Sequence, residues 1–128
     1  MKKAFITGVA GFIGSHLADY LIEQGWEVWG VDNFLTGDKK NINKNVILKK
    51  LDIRSKEALI FFMCKIKPDV VFHMAAIART LWTIDDPLLC HETNITGTLH
   101  VLIAAKEAGV KKVVFASSNI VKNDLNWS

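Results

Sequence analysis

Thr7-Gly8-Val9-Ala10-Gly11-Phe12-Ile13-Gly14 decides how this chain is read. An apolar, β-branched run precedes it and a helical pattern follows, so its glycines fall where a strand hands over to a helix. A turn at that junction exposes backbone N–H groups at a helix N-terminus, where an anion such as a phosphate is well received. Gly8 permits the tight turn, Gly11 leaves the approach free of a Cβ, and Gly14 lets the helix pack close to the strand.

Outward from that stretch, strands and helices alternate. Residues 3–7 form the first strand, and a helix begins near Phe12, with Ile13, Leu17 and Leu21 recurring every four residues beside Ala18 and Ile22 until Gly25 stops it. Further strands are predicted over residues 27–31, 46–51, 69–73 and 112–116, mostly apolar on both faces. A second helix over 55–66 turns Leu59, Phe62, Met63 and Ile66 to one face, and Pro68 ends it. The longest helix starts at Asp86-Pro87, an N-cap acid with proline behind it, and Gly109 caps its end. The polar stretch 33–45 reads as a loop holding at most a helical turn. Such alternation predicts a doubly wound α/β fold, and right-handed crossovers give the parallel strand order 3-2-1-4-5. Ligands of these sheets bind where the order reverses, between strands 1 and 4.

The 128 residues are 50% hydrophobic and 23% charged, a composition for one compact domain. Sixteen Lys and Arg against 13 Asp and Glu leave a formal charge of +3, too small and scattered for a nucleic-acid partner. Met1-Lys2-Lys3 and the apolar residues behind it imitate a short signal peptide, but Gly8 and Gly11 interrupt them and the segment reads as structure. No run reaches the roughly 18 apolar residues a membrane span needs, so the expectation is a cytoplasmic chain without a membrane partner. Cys64 and Cys90 then read as reduced, buried thiols, and His16, His91 and His100 have no metal-ligand spacing, so no metal is expected.

Asp32 ends strand 2, 18 residues beyond Gly14, where a carboxylate can accept from both hydroxyls of an adenosine ribose and repel a 2'-phosphate. That favours NAD over NADP; the competing reading is a turn cap with Asn33. His73, ending a buried strand, reads as a hydrogen-bonded core residue without a catalytic role. Asn94, inside the long helix, reads either as a polar contact to the strand 4 loop or a water chain, or as plain exposure.

Thr7 to Gly14, Asp32-Asn33, Asp52-Ile53, His73-Met74-Ala75-Ala76 and Asn94 with Gly97-Thr98 together resemble the extended short-chain dehydrogenase/reductase family, the NAD-dependent epimerases and dehydratases. The resemblance runs from Lys3 to about Val121 and implies a Rossmann-type domain over 1–121 with a polar tail over 122–128. It implies that Gly8, Gly11, Phe12, Ile13 and Gly14 serve the pyrophosphate, and Asp32 and Asn33 the adenosine ribose. Asp52 and Ile53 would bracket the adenine, which from the residues alone could equally be a strand-end turn. Ala75, Ala76 and Ile77 would let the cofactor lie against the backbone, with Asn94 and Ser117 in the same cofactor set. Ser118 would be the active-site hydroxyl, and the long helix would form a homodimer.

The family's central acid/base pair is TyrxxxLys. Here the one tyrosine is Tyr20, with Gln24 four places on, so this chain alone is expected to be catalytically incomplete and truncated relative to the family. Asn119-Ile120, in place of an Asp-Glu pair, tilts the implied parent activity toward a nucleotide-sugar 4-epimerase. The nucleotide sugar would be a substrate only of a completed enzyme. The alternatives are a non-catalytic dinucleotide-binding module or subunit completed by a partner chain, and a fragment of a nucleotide-sugar dehydratase.

Overall fold

The computed structural model describes residues 1–77 and 84–116. Its elements run β1 (Lys3–Thr7), α1 (Phe12–Glu23), β2 (Glu27–Asp32), a 3₁₀ turn (Lys39–Asn41), β3 (Ile47–Lys50), α2 (Lys56–Ile66) and β4 (Val70–His73). Then come α3 (Pro87–His91), a π-helical turn (Glu92–Thr96), α4 (Gly97–Glu107) and β5 (Lys112–Phe115). All five strands are parallel, in the order β3-β2-β1-β4-β5, as the crossover argument predicts. Thr7 pairs with Val31 on one side and His73 on the other, so the C-terminal ends of three strands lie level at one edge.

Alternate residues of β1 feed two cores. Ala4 and Ile6 join Val9, Ala18, Leu21 and Val28 under α1. Phe5 faces the opposite layer, with Leu59, Met63 and Ile66 of α2 and Val101 and Ala104 of α4. At the edge of the sheet β3 is thinner than a doubly covered strand, with Ile47 43% exposed and Lys49 and Lys50 exposed beside it. Charged residues on an edge strand discourage pairing with another chain.

Four expectations change. The buried stripe of α1 is Gly14, Ser15, Ala18 and Leu21, whereas Ile13 is 63% exposed. The helix docks through its small residues, and a Cβ on Gly14 would collide with the Gly8 carbonyl oxygen. Thus Gly14 serves contact with the turn rather than with the strand. The long helix starts as foreseen, with Asp86 accepting from the Leu89 N–H at 3.1 Å and Gly109 at φ +73 after its end. It is not uniform, however, because the π-helical turn interrupts it; such turns recur at functional sites. Cys90 is buried but Cys64 only half so, and both are free thiols. Ser117, Ser118 and the boundary at 121 lie outside the described residues.

Candidate functional site

Gly8 opens the turn with φ +71, and its N–H donates to the Val31 carbonyl at 2.9 Å. A Cβ there would stand 2.8 Å from the backbone N and Cα of Ala75, so the β1 turn and the segment after β4 touch through the missing side chain. Gly11 is the N-cap of α1 and offers no side-chain acceptor, while its own N–H donates to Gly8 O at 3.1 Å. The next amides, Phe12, Ile13 and Gly14, open a helix whose first N–H groups have no carbonyl of their own helix to meet. Phe12 is 78% exposed and its ring lies on His16, 4.5 Å between centroids.

Asp32, 9% exposed, ties this turn to β2: Oδ2 accepts from the Ala10 N–H at 2.9 Å and Oδ1 from the Phe34 N–H at 2.8 Å. The turn-cap contact foreseen from sequence is therefore present, with Phe34 at φ +61. It does not exhaust the carboxylate, since two oxygens offer about four acceptor directions. The loop after β2 folds back over the glycine turn. A Cβ on Gly37 would stand 2.7 Å from the Ala10 Cβ, and Asp38 N and Asn41 Nδ2 both donate to Ala10 O at 3.3 Å.

Asn33 accepts from the Leu35 N–H and donates Nδ2 to Asp52 Oδ2 at 3.1 Å. Asp52 also accepts from Arg54, at 2.9 Å from its backbone N–H and 2.9 Å from Nη2, and Arg54 Nη1 reaches Glu92 at 3.4 Å. Partial burial works to raise the Asp52 pKa, but the Arg54 side-chain and backbone hydrogen bonds, aided by Asn33, overcome it and hold the carboxyl at about 2.

Beyond β4, Thr7 Oγ1 accepts from the Met74 and Ala75 N–H groups at 3.0 and 3.1 Å. Ile77 is held at both backbone groups by the Asn94 amide, its N–H donating to Oδ1 at 2.7 Å and its carbonyl accepting from Nδ2 at 2.9 Å. The contact to the strand 4 loop is thus what Asn94 makes. His73 bonds Thr7 and Thr98 through its two ring nitrogens and is 3% exposed; burial pushes its pKa down to about 4. It is a core residue, as the sequence predicts.

These elements enclose a cleft of about 540 Å³ of empty space, open solvent at its mouth included. From the first two turns Gly8, Gly11, Asp32 and Asn33 line it, and from beyond β3 and β4 Ile53, Ala75, Ala76 and Ile77. Phe12, Ile13, Gly14, Asp52 and Asn94 are not among its walls, so the Asn94 side chain shapes the cleft through Ile77 and Asp52 through Asn33. The sequence reading missed Leu35, Thr36 and Thr93, which are wall residues. Thr93 is 5% exposed and its hydroxyl has no hydrogen-bond partner among the described residues. A signal for it existed: Cys90, Thr93, Gly97, Val101 and Ala104 form a small-residue stripe at helical spacing, all buried.

The model of the family described as NAD dependent epimerase/dehydratase family matches residues 4–124. The UDP-N-acetyl-alpha-D-glucosaminuronate decarboxylase of Bacillus cytotoxicus is 41% identical over 123 residues, 94% of this chain and 37% of that protein. Among solved structures, the Thermotoga maritima UDP-glucose 4-epimerase with UDP-glucose superposes at a TM-score of 0.89 and 38% identity, covering 91% of this chain and 38% of its own. The Thermus thermophilus UDP-glucose 4-epimerase in complex with NAD gives a TM-score of 0.86 at 39% identity, with 91% and 38% covered. The chain spans less than two-fifths of the length of these proteins.

Proposed function

Since the chain belongs to the NAD dependent epimerase/dehydratase family, we propose that its cleft binds NAD and that it is the dinucleotide-binding part of a nucleotide-sugar 4-epimerase-like enzyme. One observation carries the reading: Gly8 and Gly11, the turn and the N-cap of a helix without a side-chain cap, line the cleft beside the Asp32 carboxylate that ties them. Two further features fit a dinucleotide. Among the described residues, the position a Gly11 Cβ would take meets only Gly8 O, at 3.3 Å, and the buried Thr93 hydroxyl in the wall has no partner.

The N–H groups of Phe12 and Ile13 would receive the diphosphate, with the positive end of the α1 dipole behind them. Asp32 would accept from the ribose hydroxyls with the acceptor capacity its two protein contacts leave, and its charge would repel a 2'-phosphate. Leu51 and Ile53 offer an apolar wall for the adenine. Asp52 acts in this reading through Asn33 and Ile53, because Arg54 and Asn33 occupy its oxygens. Ala75 and Ala76 keep the wall beyond β4 low enough for a close approach, and Ser118, by the family resemblance, would bond the substrate oxygen. When bound, NAD supplies a reversible acceptor for the hydride of a sugar carbon. The proton from the sugar hydroxyl needs a base other than Tyr20, which is 59% exposed on α1 with Gln24 four residues on.

Titration calorimetry tests this reading. NAD binds more tightly than NADP, and Asp32→Asn weakens NAD about tenfold while leaving NADP nearly unchanged. Equal affinities for both dinucleotides in the native chain contradict the assignment of Asp32.

A second copy of the chain is the partner this proposal includes. Ile95, Leu99 and Leu102 are 61%, 55% and 48% exposed at intervals of four and three residues where the π-helical turn runs into α4. That is the spacing of a helix-packing seam, and it supports a homodimer through the long helix. Among the described residues no helix is long and apolar enough to cross a membrane. The cytoplasmic location belongs to the proposal, supported by two free thiols.

A further inference from the structure

One buried hydrogen-bond chain under the cleft has its proton directions fixed. Thr98 Oγ1 donates to the Asn94 carbonyl at 2.6 Å, which uses its single proton. His73 Nε2, 2.8 Å from the same oxygen, must therefore be the donor to it. Burial keeps the imidazole neutral, so Nδ1 carries no proton and accepts from the Thr7 hydroxyl at 2.6 Å. The Thr7 proton is then committed, and both its lone pairs point away from His73. They meet the Met74 and Ala75 N–H groups. The Met74 N–H is shared with the Thr7 carbonyl oxygen at 3.1 Å, whereas the Ala75 N–H is held by the hydroxyl.

We propose that His73 and Thr98 are positioning residues of the cleft: as an Nε2–H tautomer accepted by Thr98, His73 orients the Thr7 hydroxyl so that it holds the backbone of Met74 and Ala75 in place. The far end of the same segment is held by Asn94, whose carbonyl terminates the chain and whose side chain clamps Ile77. Met74 to Ile77, four consecutive wall residues, are thus pinned at both ends by one circuit linking β1, β4 and the π-helical turn. The opposite tautomer breaks it. With a proton on Nδ1, Thr7 Oγ1 would face three donors with two lone pairs, pushing the Met74 N–H onto the Thr7 carbonyl at 3.1 Å, and Nε2 would face Thr98 Oγ1 with no proton between them.

The effect on ligand binding rests on the cleft being a dinucleotide site, but the tautomer does not. In ¹⁵N-histidine spectra of the full chain at neutral pH, with the His73 signals assigned by His73→Gln, the native protein shows a protonated Nε2 and an unprotonated Nδ1. Thr98→Val removes the acceptor, shifts His73 toward the Nδ1–H form, accelerates amide exchange at Met74 and Ala75, and weakens NAD about tenfold. Thr98→Ser restores all three. A native chain with an Nδ1–H or imidazolium ring overturns the proposal, as does a Thr98→Val chain with native exchange at Met74 and Ala75. If Thr98→Val does not fold, Thr98→Ala with the same readouts decides between the same outcomes. A native chain that has the stated tautomer and ignores NAD refutes the dinucleotide reading and leaves the circuit standing.

Discussion

The two walls of the cleft are built in opposite ways. On the β1–α1 side the structure is local: Gly8, Gly11 and Gly14 set a turn whose useful groups are backbone N–H, and Asp32 ties it with one carboxylate. On the β4 side the backbone is held from a distance, by Thr7 across to Met74 and Ala75 and by Asn94 across to Ile77. A wall made of missing side chains fails by collision, whereas one held by side chains fails by losing bonds. Substitutions in the two should therefore differ in size and in kind.

The largest effect is expected at Gly8→Ala. A left-handed alanine costs roughly 1–2 kcal/mol by itself, and this one also meets the Ala75 backbone at 2.8 Å. Denaturant unfolding should show a loss of about 3 kcal/mol and calorimetry no dinucleotide binding. Gly25→Ala isolates the conformational part, since φ there is +88 but nothing lies within 4 Å of the new Cβ. It should cost about 1 kcal/mol and leave binding intact; an equal loss at both glycines would refute the close approach of the two walls.

Asn94→Ala comes next, removing two hydrogen bonds from the backbone of Ile77. A stability loss of about 2 kcal/mol is expected, together with faster amide exchange at Ile77. Thr93→Val should have effects of opposite sign on folding and binding. Its hydroxyl is buried without a partner among the described residues, so an isosteric methyl should stabilise the free chain by up to about 1 kcal/mol while weakening NAD severalfold. Leu99→Glu should leave both walls alone and shift the sedimentation of a dimer to that of a monomer.

Acid separates the walls by pH. His73 has its pKa lowered from 6.5 to about 4, so its burial in neutral form contributes stability above 6.5 that is lost as pH falls from there toward 4. Asp52, lowered from 3.8 to about 2, contributes stability that is present above about 4 and lost as pH falls toward 2. His73→Gln should flatten the first part of an acid unfolding curve and Asp52→Asn the second, the smallest effect of this series, because Arg54 is 39% exposed and the pair is screened.

The same contrast explains what could be read in advance. The alternation of short apolar runs with helical stripes predicts all five strands and their order, and the glycine spacing with Asp32 predicts one wall. Both signals depend on near neighbours in sequence or on generic crossover handedness. Ile13 misled because periodicity marks an apolar stripe without saying that Gly14 and Ala18 allow a closer approach than leucine-sized residues do. The π-helical turn has no composition of its own, and the contacts that accompany it join residues 17 to 68 positions apart. Asp52 was legible as a polar strand end, but its engagement with Arg54 depends on a side-chain fold-back that spacing alone does not encode.

The most direct measurement of the central claim is an amide NMR titration of the chain with NAD and, separately, inorganic pyrophosphate. The account predicts saturable shifts at Gly11, Phe12, Ile13 and Gly14 with both ligands, and at Ile53, Ala75 and Ala76 with NAD alone. Saturating NAD that leaves the amides of the first turn unmoved would contradict it.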